Sequence, residues 1–249
     1  MRQISAAERA AVWTVALVIV AAITALTAVH GALGIPRNDD WSYLRVALDL
    51  AETGQVQLTG WVQMFFIGQA VLAQPVITLT AGSTAALQIF VAALAVASLV
   101  LAYDLARRIL PPALAALAVL PLALGPMFGS LALSFMTDIP ALFLTLITLS
   151  FGAATLNANG RRRSILLACA AASGVFAFTI REYGLLAWIA VALTVLWQIF
   201  TERTTPRSSR NVLPVILLFG SSLVAAALLW AWRSQLPGTL ATGIAIPRT

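Results

Sequence analysis

The chain has 249 residues, of which 61% are hydrophobic and 10% are charged, and its formal net charge is +6. A soluble domain carries about a quarter charged residues, so this composition excludes an ordinary soluble enzyme and indicates a protein whose solvent is lipid. Every basic residue is Arg, and the Arg residues occur in short clusters between apolar runs. Because basic residues with interleaved aromatic side chains on one face are not found, nucleic-acid binding is not predicted.

Seven apolar segments are long enough to cross the hydrocarbon core of a bilayer as helices. They cover approximately residues 10–30, 84–107, 113–134, 139–157, 164–181, 184–201 and 211–232. The predicted fold class is therefore all-α, a polytopic membrane protein in which residues 1–249 form a single transmembrane domain.

The arginine clusters predict the orientation of these helices. Threading seven spans through the membrane places all the clusters on one face, and basic loops normally stay in the cytoplasm. The clusters lie at residues 2–9, 107–108, 161–163 and 203–210. The sequence thus predicts a multi-pass protein of the cell membrane, with a cytoplasmic N-terminus and with residues 31–83 on the outer side.

This first outer loop contains two further segments. Asp40–Thr53 has helical periodicity and is followed by Gly54, which predicts an amphipathic helix along the membrane surface. Residues 61–80 are apolar, but a span there would move the later arginine clusters to the opposite face. With Gln residues and Pro75 inside it, this segment is predicted to lie in the interface or to re-enter it.

Acidic residues are scarce, and a group of them follows the first span. Asn38, Asp39, Asp40 and Trp41 are consecutive, and two carboxylates there could supply a general base or ligands for a divalent cation. Asn and Asp are also favoured at helix N-termini, where they complement the helix dipole. The residues alone leave both interpretations open.

Two more clusters lie at predicted outer turns. Asp138 belongs to the run Ser134–Pro140, which also fits an ordinary helix start with Pro in the first turn. Arg181 belongs to Arg181–Gly184, and an arginine on the outer face needs a partner. That partner is either Glu182 or an anionic ligand such as a lipid-linked phosphate, whose oxygens fit the guanidinium group.

The order and spacing of these clusters resemble the GT-C membrane glycosyltransferases. More narrowly they resemble the family 39-like group, which includes protein mannosyltransferases and aminoarabinose transferases. The resemblance covers nearly the whole chain and is carried by Asn38–Tyr43, Leu50–Gly54, Phe135–Pro140 and Ile180–Gly184.

The resemblance implies an inverting transfer of a sugar from a polyprenyl-phosphate donor to an acceptor hydroxyl on the outer side of the membrane. It implies that Asp39 or Asp40 is the catalytic base, that Asp138 positions the acceptor or helps to hold a metal, and that Arg181 binds the donor phosphate. A divalent metal cation is a candidate cofactor, since members of the group differ in their metal dependence. The sugar and the acceptor stay open.

Two alternatives to an active enzyme follow from the same sequence. One is a non-catalytic multi-pass protein such as a transporter fragment, and the other is a scaffold that binds lipid-phosphate without turnover. Members of the resembled group are usually longer, so the resemblance also implies a truncated or minimal copy.

Overall fold

The protein is described by a computed structural model over residues 4–201 and 212–236. Within these ranges it is all-α, as predicted, and contains no strand. Its helices are α1 (Ala6–Val29), α2 (Asp40–Thr53), α3 (Ile67–Thr80), α4 (Thr84–Ala106), α5 (Pro112–Leu124), α6 (Pro126–Ala132), α7 (Asp138–Thr155), α8 (Gly160–Phe178), α9 (Leu185–Thr201) and α10 (Val212–Arg233), with one 3-10 turn at Glu182–Gly184. Arg2, the arginines at 203–210 and the tail after 236 lie outside the described residues.

Five of these helices are long and apolar enough to cross a membrane: α1, α4, α7, α9 with its preceding turn, and α10. A sixth candidate consists of α5 and α6 together, so the predicted count of seven spans is not confirmed. The difference lies in α8, whose first turn contains Arg161, Arg162 and Arg163 where the sequence predicted a loop. Arg is a good helix former, and its long side chain can carry the charge toward water from within a helix.

The predicted span 113–134 is divided into α5 and α6, which meet at an angle of 67°. Gly125 joins them in an extended conformation, with φ −63° and ψ 131°, and Pro126 begins α6. The residue before a proline is disfavoured in the helical region, so the Gly–Pro pair ends one helix and starts another.

Close helix packing at the centre of the bundle depends on glycine. α7 packs against α4, α8 and α9, and α8 packs against α10. A Cβ atom at Gly152 would lie 2.2 Å from Val191 Cγ2, and one at Gly174 would lie 2.5 Å from Trp188 Cβ. Small residues allow this approach, which is typical of helices that associate in lipid.

The two ends of the bundle differ in character. At one end, here called the arginine-rich end, Arg107 forms a salt bridge with Glu8, and Tyr103 donates a 2.8 Å hydrogen bond to the same carboxylate. Arg163 donates to Gln198 at 3.1 Å at this end as well. The opposite end contains α2 and is called the α2 end.

The α3 helix stays at the α2 end. The amide of Gly68 at its start donates to the carbonyl of Thr179 at 2.8 Å, and Gln74 donates to the carbonyl of Ala47 in α2 at 3.1 Å. Gly82, just after its C-terminus, lies against Leu48 of α2. With 14 residues α3 is about 21 Å long, which is too short to cross a core of about 30 Å.

Candidate active site

Four segments that are far apart in the sequence meet at the α2 end. Backbone hydrogen bonds join two of them, because Phe66 N donates to Ile180 O at 3.1 Å beside the bond from Gly68 to Thr179. A third segment is attached through Gln69, whose buried amide donates to Phe135 O at 2.8 Å. The N-terminal turn of α2 is the fourth. The contacts bring the loop before α3, the turn before α7 and the turn after α8 into one structure.

Local backbone conformation makes this junction possible. Phe66 has a φ of 62°, a left-handed conformation that is rare for a bulky residue and that turns the chain into α3. At Gly68, a Cβ atom would lie 2.2 Å from the hydroxyl oxygen of Thr179. Only glycine therefore allows α3 to approach the turn after α8 at this distance.

Arg181 and Asp138 form a salt bridge at this junction. The distance between Arg181 Nη1 and Asp138 Oδ1 is 2.8 Å, and about a fifth of each side chain is exposed. Arg181 Nε also donates to the hydroxyl of Thr137 at 2.7 Å. The sequence left Glu182 open as the structural partner of Arg181, and the structure pairs Arg181 with Asp138 instead.

Asp39 and Asp40 occupy different environments. Asp39 is half-buried at the N-cap position of α2, and its side chain makes no capping hydrogen bond. Asp40 is completely buried, and its Oδ2 accepts from the amide of Arg37 at 3.3 Å. Neither carboxylate caps the helix in the usual way, so helix capping does not account for the pair.

Burial raises the pKa of Asp40 from 3.8 to about 6. The backbone amides of Phe135 and Arg37 and the charge of Arg37 offset part of this effect, while the charge of Asp39 adds to it. Removal from water disfavours the charged form of a carboxyl group, which explains the direction. At pH 7 Asp40 is still ionised, so the folded protein holds a carboxylate in an unfavourable environment.

We expect Asp40→Asn to stabilise the protein relative to the native sequence as pH rises. The folded protein binds the Asp40 proton more tightly than the unfolded chain, so the contribution of Asp40 to stability is most favourable below pH 4 and falls as pH rises through about 6. A difference of about 2 pKa units corresponds to a loss of about 3 kcal/mol in the free energy of unfolding of the native protein at pH 7. Asn is neutral at every pH, so the Asp40→Asn variant does not undergo this loss. Thermal unfolding between pH 4 and pH 8 measures this difference.

Asp49→Asn is the matched control for this measurement. Asp49 lies in the same helix in an ion pair with Arg45 at 3.0 Å, and such surface pairs contribute only about 0.2–1 kcal/mol. If Asp40→Asn and the native protein changed stability equally with pH, the buried carboxylate would not be the source of the effect.

Tyr43 lies at the centre of the cluster, and no role was assigned to it from the sequence. It is 1% exposed, its hydroxyl donates to the sulfur of Met64, and its ring stacks on Phe66 at 4.8 Å. Its pKa is raised to about 12 by burial and then by the charge of Asp39, with Arg181 acting in the opposite direction and Asp138 and Asp40 adding smaller increases.

The charges of all four predicted site residues influence the Tyr43 hydroxyl, so the four side chains lie in its neighbourhood at the α2 end. A signal for Tyr43 exists in the sequence, because residues four apart share one face of a helix and Tyr43 follows Asp39 by four. The aromatic contacts of Phe66 with Tyr43 and, at 6.2 Å, with Phe135 come from segments far apart in the chain.

Metal ligands were a second predicted role for the carboxylates. Among residues 4–201 and 212–236, no group of three or more His, Cys, Asp and Glu side chains is arranged to hold a metal ion. The divalent cation therefore stays a prediction, and the chemistry proposed below uses side chains alone.

An all-α membrane bundle with a cluster of carboxylates and an arginine at the α2 end fits a GT-C-type membrane glycosyltransferase. Residues 68–232 match the family model described as dolichyl-phosphate-mannose-protein mannosyltransferase, and the chain belongs to this family. No curated protein and no solved structure matches it. The matched region includes Asp138 and Arg181 but begins after α2, so Asp39 and Asp40 precede it.

Proposed function

We propose that this protein transfers a sugar from a polyprenyl-phosphate donor to an acceptor hydroxyl, with inversion at the anomeric carbon, on the outer side of the cell membrane. The proposal rests on the junction at the α2 end, where the ion pair of Arg181 with Asp138 lies next to the segment that packs on Tyr43, one turn after Asp39 in α2. Membership of the mannosyltransferase family supports a lipid-linked donor.

Asp39 is the general base in this proposal. A base must reach the hydroxyl from which it takes the proton, and Asp39 is half-buried whereas Asp40 is completely enclosed. Asp40 then acts on the position of its neighbour, because its carboxylate accepts from the amide of Arg37, which lies two residues before Asp39.

The transfer step needs only a proton acceptor and a group that stabilises the leaving phosphate, and Asp39 and Arg181 supply these. The Asp39 carboxylate takes the acceptor proton while the acceptor oxygen forms a bond to the anomeric carbon. The bond between that carbon and the phosphate oxygen breaks, and its electron pair leaves with the lipid phosphate. Arg181 stabilises the charge on the phosphate, and its guanidinium is already oriented by Thr137 and Asp138. Asp138 also positions the acceptor hydroxyl in this proposal.

The polyprenyl chain fits the apolar surface of α3. Val71 and Leu79 of this helix are 51% and 85% exposed, and α3 lies at the same end as Arg181. An isoprenoid in contact with these side chains would place its phosphate at the boundary between lipid and water. The basic residues of the arginine-rich end support a cytoplasmic location for that end and an outer location for the site.

A transfer assay with the full chain in lipid vesicles tests this proposal. The donors are radiolabelled polyprenyl-phosphate sugars, and the measured products are free polyprenyl phosphate and the glycosylated acceptor. We expect release of polyprenyl phosphate coupled to a product of inverted anomeric configuration. Saturable binding of the donor without turnover would favour a lipid-phosphate-binding scaffold, and a product of retained configuration would contradict the mechanism.

A further inference from the structure

Arg233, the last residue of α10, is a buried cation that the proposed chemistry does not use. It is 8% exposed and directs its guanidinium at consecutive backbone carbonyls. It donates through Nε to Phe65 O at 3.3 Å and through Nη2 to Val62 O at 3.2 Å, Gln63 O at 3.1 Å and Met64 O. No carboxylate of the described residues lies within salt-bridge distance of it.

These contacts fix the segment 62–65, which has no regular secondary structure. A guanidinium is planar and offers several donors in fixed directions, so it can hold consecutive carbonyls at the same time. The Arg233 guanidinium also lies 5.7 Å from the Phe65 ring and 5.9 Å from the Trp230 ring. The conformation of the segment therefore depends on one side chain from the far end of the chain.

Segment 62–65 and the residue after it, Phe66, pack against the candidate active site. Met64 accepts the hydrogen bond of Tyr43, and Phe66 stacks on the Tyr43 ring. The amide of Phe66 is bonded to the carbonyl of Ile180, the residue directly before Arg181. A displacement of segment 62–65 would consequently move both the tyrosine beside Asp39 and the turn that carries Arg181.

We propose that Arg233 is a positioning residue for sugar transfer: it holds segment 62–65 in place, and through this segment it sets the distance between Asp39 and Arg181. This inference rests on the proposed function. Direct binding of the donor phosphate is the competing role, and it fits less well because Nε and Nη2 are already directed at protein carbonyls.

Steady-state kinetics with Arg233→Met and Arg233→Lys separates the two roles. For Arg233→Met we expect kcat to fall by about tenfold to a hundredfold while the donor KM changes by less than about threefold, because misplaced groups affect the chemical step more than donor binding. Arg233→Lys keeps the charge and part of the hydrogen bonding, so its kcat should lie between those of Arg233→Met and the native protein.

Arg107→Met is the matched control. Arg107 is also a buried arginine, 5% exposed, and it donates to a backbone carbonyl, that of Leu110, but it lies at the arginine-rich end. We expect its kcat per folded molecule to equal the native value. If Arg233→Met raised the donor KM without lowering kcat, or if it left kcat at the native value, the proposal would be overturned. If Arg233→Met does not fold, Arg233→Lys decides by the same criteria.

Hydrogen–deuterium exchange tests the positioning role without any activity. The amides of Phe66 and Gly68 are bonded to the turn after α8, and in Arg233→Met we expect them to exchange at least about tenfold faster than in the native protein and in Arg107→Met. Unchanged protection would overturn the proposal. If the native protein shows no transfer while these amides lose protection, the proposed function fails and the structural link from Arg233 stands.

Discussion

Asp39→Asn is expected to lower kcat by about two to four orders of magnitude, the usual contribution of a general base. The amide has nearly the same shape as the carboxylate but does not accept the acceptor proton. Because Asp39 makes no capping hydrogen bond, the substitution leaves the start of α2 intact, and the donor KM should change little. Single-turnover transfer from a labelled donor measures the effect on the chemical step.

Two variants in the same helix make this prediction specific. Asp49→Asn also removes one carboxylate from α2, where Asp49 is paired with Arg45, and it should retain native activity. Asp40→Asn should lose less activity than Asp39→Asn, since Asp40 is enclosed and acts through the position of its neighbour. If Asp40→Asn were the more damaging of the two, the base would be Asp40 and the burial argument would be wrong.

Arg181→Met is expected to lower kcat/KM for the donor by about a hundredfold to a thousandfold, as does the loss of a preorganised group that stabilises developing charge. Arg181→Lys should recover only part of this loss. A lysine has the charge but lacks the planar arrangement that lets Arg181 contact Thr137 and Asp138 and still present a donor to phosphate. Competition of free polyprenyl phosphate with the labelled donor measures the affinity of each variant for the leaving group.

Arg45→Met is the control for Arg181. Arg45 also belongs to the α2 end, but its side chain is 65% exposed and is paired with Asp49 on the helix surface, so its removal should leave the kinetics unchanged. Equal losses in Arg45→Met and Arg181→Met would indicate a general effect of positive charge at this end. Native affinity for polyprenyl phosphate in Arg181→Met would remove the phosphate-binding role.

The sequence predicted best those spans that consist of one uninterrupted run of apolar residues. α1, α4, α7 and α10 fall in this group, because about 20 apolar residues in lipid can satisfy their backbone only as a helix. The break at Gly125 had a local signal in the Gly125–Pro126 pair, yet a continuous apolar run obscured it. Arg161, Arg162 and Arg163 were predicted to lie in a loop but belong to the first turn of α8. A charged residue can remain in a helix at the membrane boundary when its side chain is long enough to reach water.

The site was less predictable than the spans for a physical reason. Asp39, Asp40 and Asp138 each lie where a helix begins, so local sequence could not separate a capping role from chemistry. Tertiary contacts resolve their environments: Asp40 is enclosed, and Asp138 meets Arg181 across 43 residues of chain. Arg233 could not be found from the sequence, because its partners are the carbonyls of segment 62–65, which carry no side-chain signal.

The outermost helices of the bundle, α1 and α10, are mostly left uncovered by the rest of the described chain. The described residues enclose only 11% of the most apolar stretch of α1 and 17% of that of α10, against 50% for α4. The remaining surface depends on the surrounding acyl chains for its van der Waals contacts, so detergent that strips the annular layer acts first on these two helices. Since α10 ends in Arg233, bilayer discs are a better medium than small micelles for purifying this protein in working order.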